Sequence, residues 1–173
     1  MRKEIEWNAY TDHLWGGLGS GGALLAVLDE KGKPNPMTIG WGQVGIVWNR
    51  PVFTVLVRPT RYTYDGIKAT ESFTVNVPRH GELEEALAFC GSKSGRALDK
   101  AKACGLTWEP AKKIKAPIIG ECALFFECEI LSRAQLSRES FRSADVLATF
   151  YPKGDPHLVA FGEIVACYGE DDL

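Results

Sequence analysis

The chain lacks the patterns that would tie it to a metal, a disulfide framework, a membrane or nucleic acid. Its five cysteines form no C-x-x-C pair, and an odd number fits disulfide pairing poorly. No apolar run approaches the roughly 20 residues of a membrane span, and the first six residues lack the apolar core of a signal peptide. A net charge of −2 is not the basic excess that nucleic-acid or membrane-surface binding needs. We therefore expect no metal, no nucleic-acid or membrane partner, and a cytoplasmic location.

The cysteines are expected to be ordinary core residues. Cys122, Cys128 and Cys167 lie in alternating apolar runs, where a thiol usually packs as a small hydrophobic group. Cys90 precedes Gly91 at a predicted helix end and is the one cysteine that we keep as a possible site residue.

Composition and strand patterns predict one mainly β domain that spans residues 1–173. A chain of this length, 45% hydrophobic and 24% charged, can bury its own core. Apolar runs bounded by turn residues predict strands at 23–28, from 37 towards 48, at 52–57, 72–77, 121–130 and 158–168. Helical patterns cover 82–90 and 96–104, and Gly105 is suited to end the second helix. Strands at both ends of the chain with short helices between them favour a β-barrel with inserted helices over a parallel sheet.

Three strand predictions carry further detail. Residues 72–77 alternate apolar and polar, which predicts a half-buried strand, and Glu127 is expected on the polar face of the strand at 121–130. Gly162 would mark a bulge or a close approach in the last strand. The polar stretch 132–145 is expected to be a loop or a surface that faces a partner.

Glycines at 17–22 match G-x-G-x-x-G without its required context. A dinucleotide fingerprint needs a strand before it, a helix after it and an acidic residue about 20 positions further on. Here a polar and aromatic stretch precedes the glycines, and the apolar segment that follows reaches a turn at Asp29 after six residues. We predict a flexible lead-in to the first strand, not a nucleotide-binding turn.

A phosphate site is predicted directly after the apolar run at 52–57. Two arginines and two threonines follow within six residues: Arg58, Thr60, Arg61 and Thr63. A short helix at 64–70 would begin there, with Thr63 as its N-cap. Helix amides, hydroxyls and guanidinium groups that converge at a strand end form a phosphate site.

Upstream, residues 35–42 suit a flat heteroaromatic ring. Backbone and side-chain polar groups stand there beside Met37, Ile39 and Trp41. A ring site next to a phosphate site indicates a nucleotide-like cofactor. The alternative for Trp41 is an aromatic side chain of the barrel core.

A second anion-binding segment is predicted around Gly95. Gly95 would let the backbone approach a phosphate, and Lys93 and Arg96 would add positive charge. The alternative is a solvated helix start at which Asp99 and Lys100 are surface residues.

Five short motifs occur along the chain in one order. They are N-x-M-T-x-x-W at 35–41, P-V at 51–52, V-R-P-x-R-x-T at 57–63, F-x-V-N at 73–76 and S-G-R-x-x-D-K at 94–100, with further likeness at 121–122 and 162–165. In this combination the chain resembles the flavin reductase-like proteins, and most nearly their flavoredoxin-type branch, from about residue 22 onward.

The resemblance implies a split β-barrel that binds FMN non-covalently at a homodimer interface and transfers electrons through it. By this likeness, the isoalloxazine ring would be lined by Met37, Thr38, Ile39, Gly40 and Trp41. The ribityl phosphate would be held by Arg58, Thr60, Arg61 and Thr63, with Asn76 nearby. The site would be closed by Ser94, Gly95, Arg96 and Lys100.

Three further positions bear on the resemblance. Reductases that turn over free flavin usually carry a serine near the position of Gly40, and glycine removes that donor to the ring. His157 and Glu163 could reach the site, although a histidine before a strand is more often a surface residue.

The leading hypothesis is an FMN-dependent oxidoreductase. NAD(P)H would reduce the flavin, and the acceptor would be a flavin, a ferric complex, a protein or an organic substrate. No protein acid or base is required for hydride transfer, and none stands out. A different hypothesis is a non-enzymatic FMN-binding electron carrier reduced by a protein partner, and a third is a barrel without cofactor affinity.

Overall fold

The computed structural model describes residues 1–171 and 173. The strands of these residues pair in antiparallel fashion. Eight strands form one sheet: β1 (Lys3–Glu4), β2 (Ala23–Leu28), β3 (Pro34–Ile39), β4 (Gly42–Val47), β5 (Arg50–Val57), β6 (Ser72–Val77), β9 (Leu124–Gln135) and β10 (Leu158–Gly169). Their order is β3-β2-β6-β9-β10-β5-β4, with β1 added on β10. A separate ribbon pairs β7 (Trp108–Glu109) with β8 (Ile118–Ile119). The mainly β architecture with short inserted helices agrees with the prediction.

The two longest strands, β9 and β10, run side by side through the centre of the sheet. Their register shifts between Phe161 and Gly162, which confirms the predicted irregularity at this glycine. A Cβ atom on Gly162 would lie 2.6 Å from the ring of Phe73 and 2.7 Å from Cβ of Cys128. Gly162 therefore lets β10 approach β6 across the barrel interior.

Among the described residues, five α-helices connect or flank the strands: α1 (Thr11–Ser20), α2 (Tyr62–Ala69), α3 (Glu84–Ser92), α4 (Lys100–Ala103) and α5 (Ala144–Phe150). A short 3-10 helix spans Arg138–Ser140. The prediction of a flexible glycine lead-in is wrong, because these glycines lie in α1 or directly after it. Gly17 is buried, and a Cβ atom there would lie 3.1 Å from Val77. The glycines let the helix lie close to the end of β6.

The predicted strand from 37 towards 48 is two strands, because the chain turns at Gly40 and Trp41 between β3 and β4. The next turn falls at Trp48 and Asn49, whose φ angles are 53° and 58°, so β5 begins at Arg50. Two successive residues with positive φ are typical of a tight hairpin.

The predicted half-burial of β6 is wrong, since all six of its residues are buried. One face packs in the barrel core, and the ribbon β7–β8 covers the other, where Thr74 donates to the carbonyl of Pro117 at 2.7 Å. Glu127 is likewise buried, and its carboxylate accepts from the backbone N–H groups of Lys112 and Lys113 at 2.7 Å. A segment remote in sequence covers the face that alternation alone assigns to solvent.

Two helix boundaries and one loop also differ from prediction. Helix α2 begins at Tyr62, so Thr63 lies in its first turn and does not cap it. Helix α4 is shorter than 96–104 because Asp99 caps it, accepting from the backbone N–H of Lys102 at 3.1 Å. The polar stretch 132–145 extends β9 to Gln135 and then leads into α5. Within the described residues no helix is long and apolar enough to cross a bilayer.

Candidate functional site

Two adjoining cavities lie where β5 meets α2. The first, the basic cavity, has a volume of about 240 Å³ and is lined by Met37, Arg58, Thr60, Arg61, Tyr62, Thr63, Cys90, Ser92, Lys93, Ser94, Gly95 and Lys100. The second, the aromatic cavity, has a volume of about 160 Å³ and is lined by Met37, Thr38, Ile39, Gly40, Trp41, Leu56, Arg58, Arg61 and His157. Both are lined by Met37, Arg58 and Arg61. Taken together, their volumes exceed the roughly 300 Å³ at which ligand pockets begin.

The two arginines stand at the junction because β5 ends directly before them. The turn closes with the backbone N–H of Arg61 donating to the carbonyl of Arg58 at 3.0 Å. The guanidinium of Arg61 donates to the carbonyl of Gly91 at 2.7 Å, at the end of α3. Arg58 points the other way, where it pairs with Asp155 at 3.0 Å and donates twice to the carbonyl of Phe150 at 3.1 Å. Within the part of the chain that the structure describes, Arg61 therefore lines the basic cavity without a carboxylate partner, whereas Arg58 is paired with Asp155.

A buried amide–hydroxyl pair, which we call the floor, supports the basic cavity: its hydroxyl, on Thr63, lines the cavity, and its amide, on Asn35, does not. Asn35 donates from Nδ2 to Oγ1 of Thr63 at 2.9 Å, and both residues are buried. A Cβ atom on Gly95 would collide with the amide oxygen of Asn35 and lie 2.7 Å from the ring of Tyr62. Only glycine lets the backbone at 95 come this close to the floor.

Lys100 is buried against the basic cavity, which contradicts the surface alternative. It is 3% exposed, and its ammonium donates to the carbonyl of Cys90 at 3.1 Å. Loss of hydration on burial lowers the pKa of Lys100. Burial also raises the pKa of Cys90 to about 12, so this thiol stays protonated at neutral pH. The basic cavity thus combines the guanidinium of Arg61 and the amine of Lys100 at one anion-sized space.

Two predicted site residues point elsewhere. Arg96 pairs with Asp65 at 2.5 Å, and its guanidinium lies 5.3 Å from the ring centroid of Tyr62, outside both sets of lining residues. Asn76 is fully buried under β8, donates to the carbonyl of Leu24 at 3.0 Å and accepts from the backbone N–H of Ile119 at 3.0 Å. The amide of Asn76 serves the fold at this position, and the structure does not bring it to the cavities.

The aromatic cavity lies beside an edge strand. Since β3 is the last strand in the sheet order, the polar backbone groups on its outer side have no neighbouring strand. The side chain of Thr38 donates to the carbonyl of Leu87 at 2.6 Å, which leaves its backbone groups as the ones available to a ligand. A Cβ atom on Gly40 would meet nothing closer than the carbonyl of Leu18 at 3.7 Å. The absence of a side chain at 40 is therefore not forced by packing.

Trp41 lies at the mouth of the aromatic cavity, not in the barrel core. Its side chain is 42% exposed and contacts Phe150 edge-on, with ring centroids 5.1 Å apart. The ring of His157 lies 5.3 Å away on the cavity wall. The alternative of a core tryptophan is wrong.

His157 is the site residue that sequence reasoning undervalued. It is buried, and its Nδ1 lies 2.8 Å from the hydroxyl of Tyr151. Burial and the nearby Arg58 lower the pKa of His157 to about 4, so the imidazole is neutral at pH 7. Glu163 pairs instead with Arg50 at 2.5 Å and lines neither cavity. The signal for His157 in the sequence was its place directly before the predicted last strand, β10.

These residues fit a cofactor with a phosphate and a flat ring. The basic cavity has cations, hydroxyls and a glycine position that excludes any side chain, and the aromatic cavity has the edge of β3 and an aromatic wall. The fit rests on Arg58 and Arg61, which line both cavities and so join the space for a phosphate to the space for a ring.

Comparisons with known proteins agree with this geometry. The family model described as flavin reductase like domain matches residues 15–173. A protein of Archaeoglobus fulgidus is 30% identical over 115 residues, which are 66% of this chain and 64% of that protein, so the match spans less than two thirds of the relative's length.

Solved structures share the fold over nearly the whole chain. Flavoredoxin from Methanosarcina acetivorans is 27% identical with a TM-score of 0.68, covering 98% of this chain and 75% of that one. An FMN-binding domain of flavin reductases-like enzyme from Shewanella baltica is 16% identical with a TM-score of 0.67, covering 98% and 77%. The likeness confirms the predicted split-barrel fold.

Proposed function

The chain belongs to the flavin reductase-like family, and from that premise we propose that it binds FMN non-covalently and passes electrons from NAD(P)H to an acceptor. The observation that carries the proposal is the pair of adjoining cavities that share Met37, Arg58 and Arg61. The description of the Shewanella baltica relative as FMN-binding supports FMN as the flavin. We propose a small molecule, such as a flavin or a ferric complex, or a protein as the acceptor.

The basic cavity would hold the phosphate. Arg61 and Lys100 supply the charge, while Thr60 and Thr63 supply hydroxyl groups. Ser94 and Gly95 bring backbone against the same space. Because Asp155 already partners Arg58, this arginine would contribute less to the phosphate than Arg61 does.

The aromatic cavity would hold the ring. Bound flavin supplies hydride and electron transfer, and the protein sets its orientation and potential. Backbone N–H groups between Thr38 and Trp41 would face the polar edge of the ring and stabilise negative charge there. Met37 and Trp41 would cover its apolar surface and exclude water.

We further propose a homodimer. Ile46 and Trp48 are 60% and 59% exposed on or next to β4, the other edge strand of the sheet. Large apolar side chains on an exposed edge strand favour burial by another protein chain. Sedimentation velocity would show one species of about twice the mass of the 19.0 kDa chain.

A second candidate function is a non-enzymatic FMN-binding electron carrier. The glycine at position 40 favours it, because a side-chain donor to the ring is absent while space for one is present. A carrier would be reduced by a protein partner and not by NAD(P)H.

One experiment separates the candidates. The purified protein is supplied with FMN, desalted, and examined anaerobically by visible absorbance before and after NADH or NADPH is added. Retained flavin that is bleached by the nucleotide supports the reductase. Retained flavin that stays oxidised supports the carrier, and a colourless protein after desalting contradicts FMN binding.

A further inference from the structure

The imidazole of His157 has one nitrogen without a protein partner, and it belongs to a side chain that lines the aromatic cavity. Nδ1 lies 2.8 Å from the hydroxyl of Tyr151, and among the described residues Nε2 has no hydrogen bond. Within the same residues no buried side-chain nitrogen or oxygen lacks a partner, so Nε2 is not sealed from solvent. Since His157 is otherwise buried, the aromatic cavity is the accessible space that it lines.

The partner on Nδ1 decides which nitrogen carries the proton. A neutral imidazole has one N–H group and one acceptor nitrogen. Tyr151 is 3% exposed as a residue, and in the described part of the chain Nδ1 of His157 is the only hydrogen-bond partner of its hydroxyl. If Nδ1 carried the proton, the hydroxyl hydrogen would be left without an acceptor. The hydroxyl therefore donates to Nδ1, and the proton sits on Nε2.

The surroundings keep the imidazole in this neutral form. Arg58 lies beside it, and burial and that guanidinium both lower the pKa of His157. Asp155 acts in the opposite direction, but its carboxylate is paired with Arg58 at 3.0 Å. At neutral pH His157 therefore adds an uncharged side-chain N–H donor to the cavity wall, on a ring whose centroid lies 5.3 Å from that of the Trp41 indole.

We propose that Tyr151 is a positioning residue that holds His157 as a hydrogen-bond donor to a carbonyl oxygen of a flat ring bound in the aromatic cavity. The oxygen belongs either to the flavin itself or to a second ring stacked beside it. The inference deepens the proposed function, on which it rests for the identity of the ring. The assignment of the tautomer does not depend on bound flavin.

The tautomer is measured first, in the full chain without added flavin. Long-range proton–nitrogen NMR spectra of imidazole-labelled protein at pH 7 distinguish a protonated ring nitrogen from an unprotonated one. We expect the Nε2–H form for His157, identified by its absence from the spectrum of His157→Phe. In Tyr151→Phe the two nitrogen shifts should converge, because the hydroxyl no longer selects one form. A pure Nδ1–H form in the unsubstituted protein overturns the proposal.

Binding is measured with a matched pair of probes. Acetophenone carries a ring carbonyl, and α-methylstyrene replaces that oxygen with a CH₂ group of nearly the same shape. The affinity ratio of the two probes is measured by titration calorimetry, with and without FMN. A net hydrogen bond predicts an affinity ratio of about 3- to 10-fold in favour of acetophenone. His157→Phe should abolish the preference, His157→Gln should retain it through its amide N–H, and Tyr151→Phe should reduce it.

The two sources of the carbonyl give different results. A probe preference that persists with FMN bound assigns the oxygen to a second ring. A preference seen only without FMN, with weaker FMN binding in His157→Phe than in His157→Gln, assigns it to the flavin. If His157→Phe changes neither the probe preference nor FMN affinity, the proposal is wrong. A protein that binds no FMN contradicts the proposed function, while the NMR spectra and the flavin-free titration still decide this inference.

Discussion

The basic and aromatic cavities adjoin, yet they differ in how their charged side chains are paired. In the basic cavity, Arg61 and Lys100 donate to backbone carbonyls and, within the described residues, have no carboxylate partner. In the aromatic cavity, Asp155 partners Arg58, and the histidine beside it is neutral. The basic cavity has two cations for an anion, whereas the aromatic cavity combines the shared Arg61 with an ion pair and a neutral imidazole. The single turn at 58–61 thus contributes lining residues to both cavities, which we propose hold the phosphate and the ring of one ligand.

The largest expected effect is in the basic cavity. Arg61→Ala should weaken FMN binding by about 1.5–3 kcal/mol, since a charge-assisted hydrogen bond to phosphate is lost. This corresponds to a rise in Kd of about 10- to 150-fold, measured by fluorescence quenching of FMN. Lys68→Ala, on α2 outside both cavities, is the matched loss of charge. Equal affinity in Arg61→Ala and the unsubstituted protein would refute the phosphate assignment.

The next largest effect is expected at Gly95, whose backbone lies against the floor of the basic cavity. Gly95→Ala should destabilise the fold by about 1–3 kcal/mol, because the added methyl group enters the space of Asn35 and Tyr62. The free energy of unfolding in urea measures it. Gly45→Ala is the control, since a Cβ atom there meets nothing within 4 Å. A smaller loss at 95 than at 45 would show that the floor adjusts freely.

The aromatic cavity should respond to pH. The pKa of His157 lies at about 4 in the folded chain and near 6.5 in the unfolded one, which therefore binds more protons between these values. The stability linked to neutral His157 is complete above pH 6.5 and is lost as pH falls towards 4, by about 1–3 kcal/mol. His157→Gln should flatten this part of the curve of unfolding free energy against pH. An unchanged slope in that variant would place the titration elsewhere.

A smaller effect compares the two arginines directly. Because Arg58 already forms an ion pair with Asp155, Arg58→Ala should weaken FMN binding by about 1 kcal/mol, which is less than the effect of Arg61→Ala. Asp155→Asn should free Arg58 and tighten FMN binding. The two Kd values, measured together at low and moderate salt, test the contrast. A larger loss at 58 than at 61 would reverse the assignment of the two cavities.

The smallest effect concerns the open space at position 40. Gly40→Ser adds a hydroxyl where packing permits one, and a new hydrogen bond to the ring should strengthen FMN binding by about 0.5–1.5 kcal/mol. Gly40→Ala is the matched control without the donor. If serine and alanine behave alike, the hydroxyl does not reach the ring.

Prediction succeeded where a short stretch of sequence carries the whole signal. Short apolar runs predicted the strands at 23–28 and 52–57, and the cluster of arginines and threonines after β5 is likewise a local pattern. It was wrong where a distant segment covers a surface. The polar face of β6 lies under β8, and Glu127 accepts from the loop at 112–113. Alternation predicts one solvent face for such strands and contains no information on what covers it.

The residues of the candidate site show the same difference between local patterns, which the sequence revealed, and contacts between distant segments, which it did not. The motifs at 35–41, 57–63 and 94–100 named the segments that line both cavities, and their order along the chain identified the family. The sequence did not show that Arg96 turns to Asp65, that Asn76 supports β8, or that Tyr151 and His157 meet at 2.8 Å. Each of these depends on which side chains lie nearest once the sheet has closed.

Local pattern and motif order were sufficient to identify the family, the strand-rich character and the residue types that suit a phosphate and a ring. Which of the charged groups stay available to a ligand depends on the folded chain. Arg58 and Arg61 are chemically identical and three residues apart. The segment before β10 brings Asp155 to Arg58, whereas among the described residues Arg61 receives a backbone carbonyl of α3 and no carboxylate. The sheet order sets these neighbours, and charge availability follows from neighbours in space.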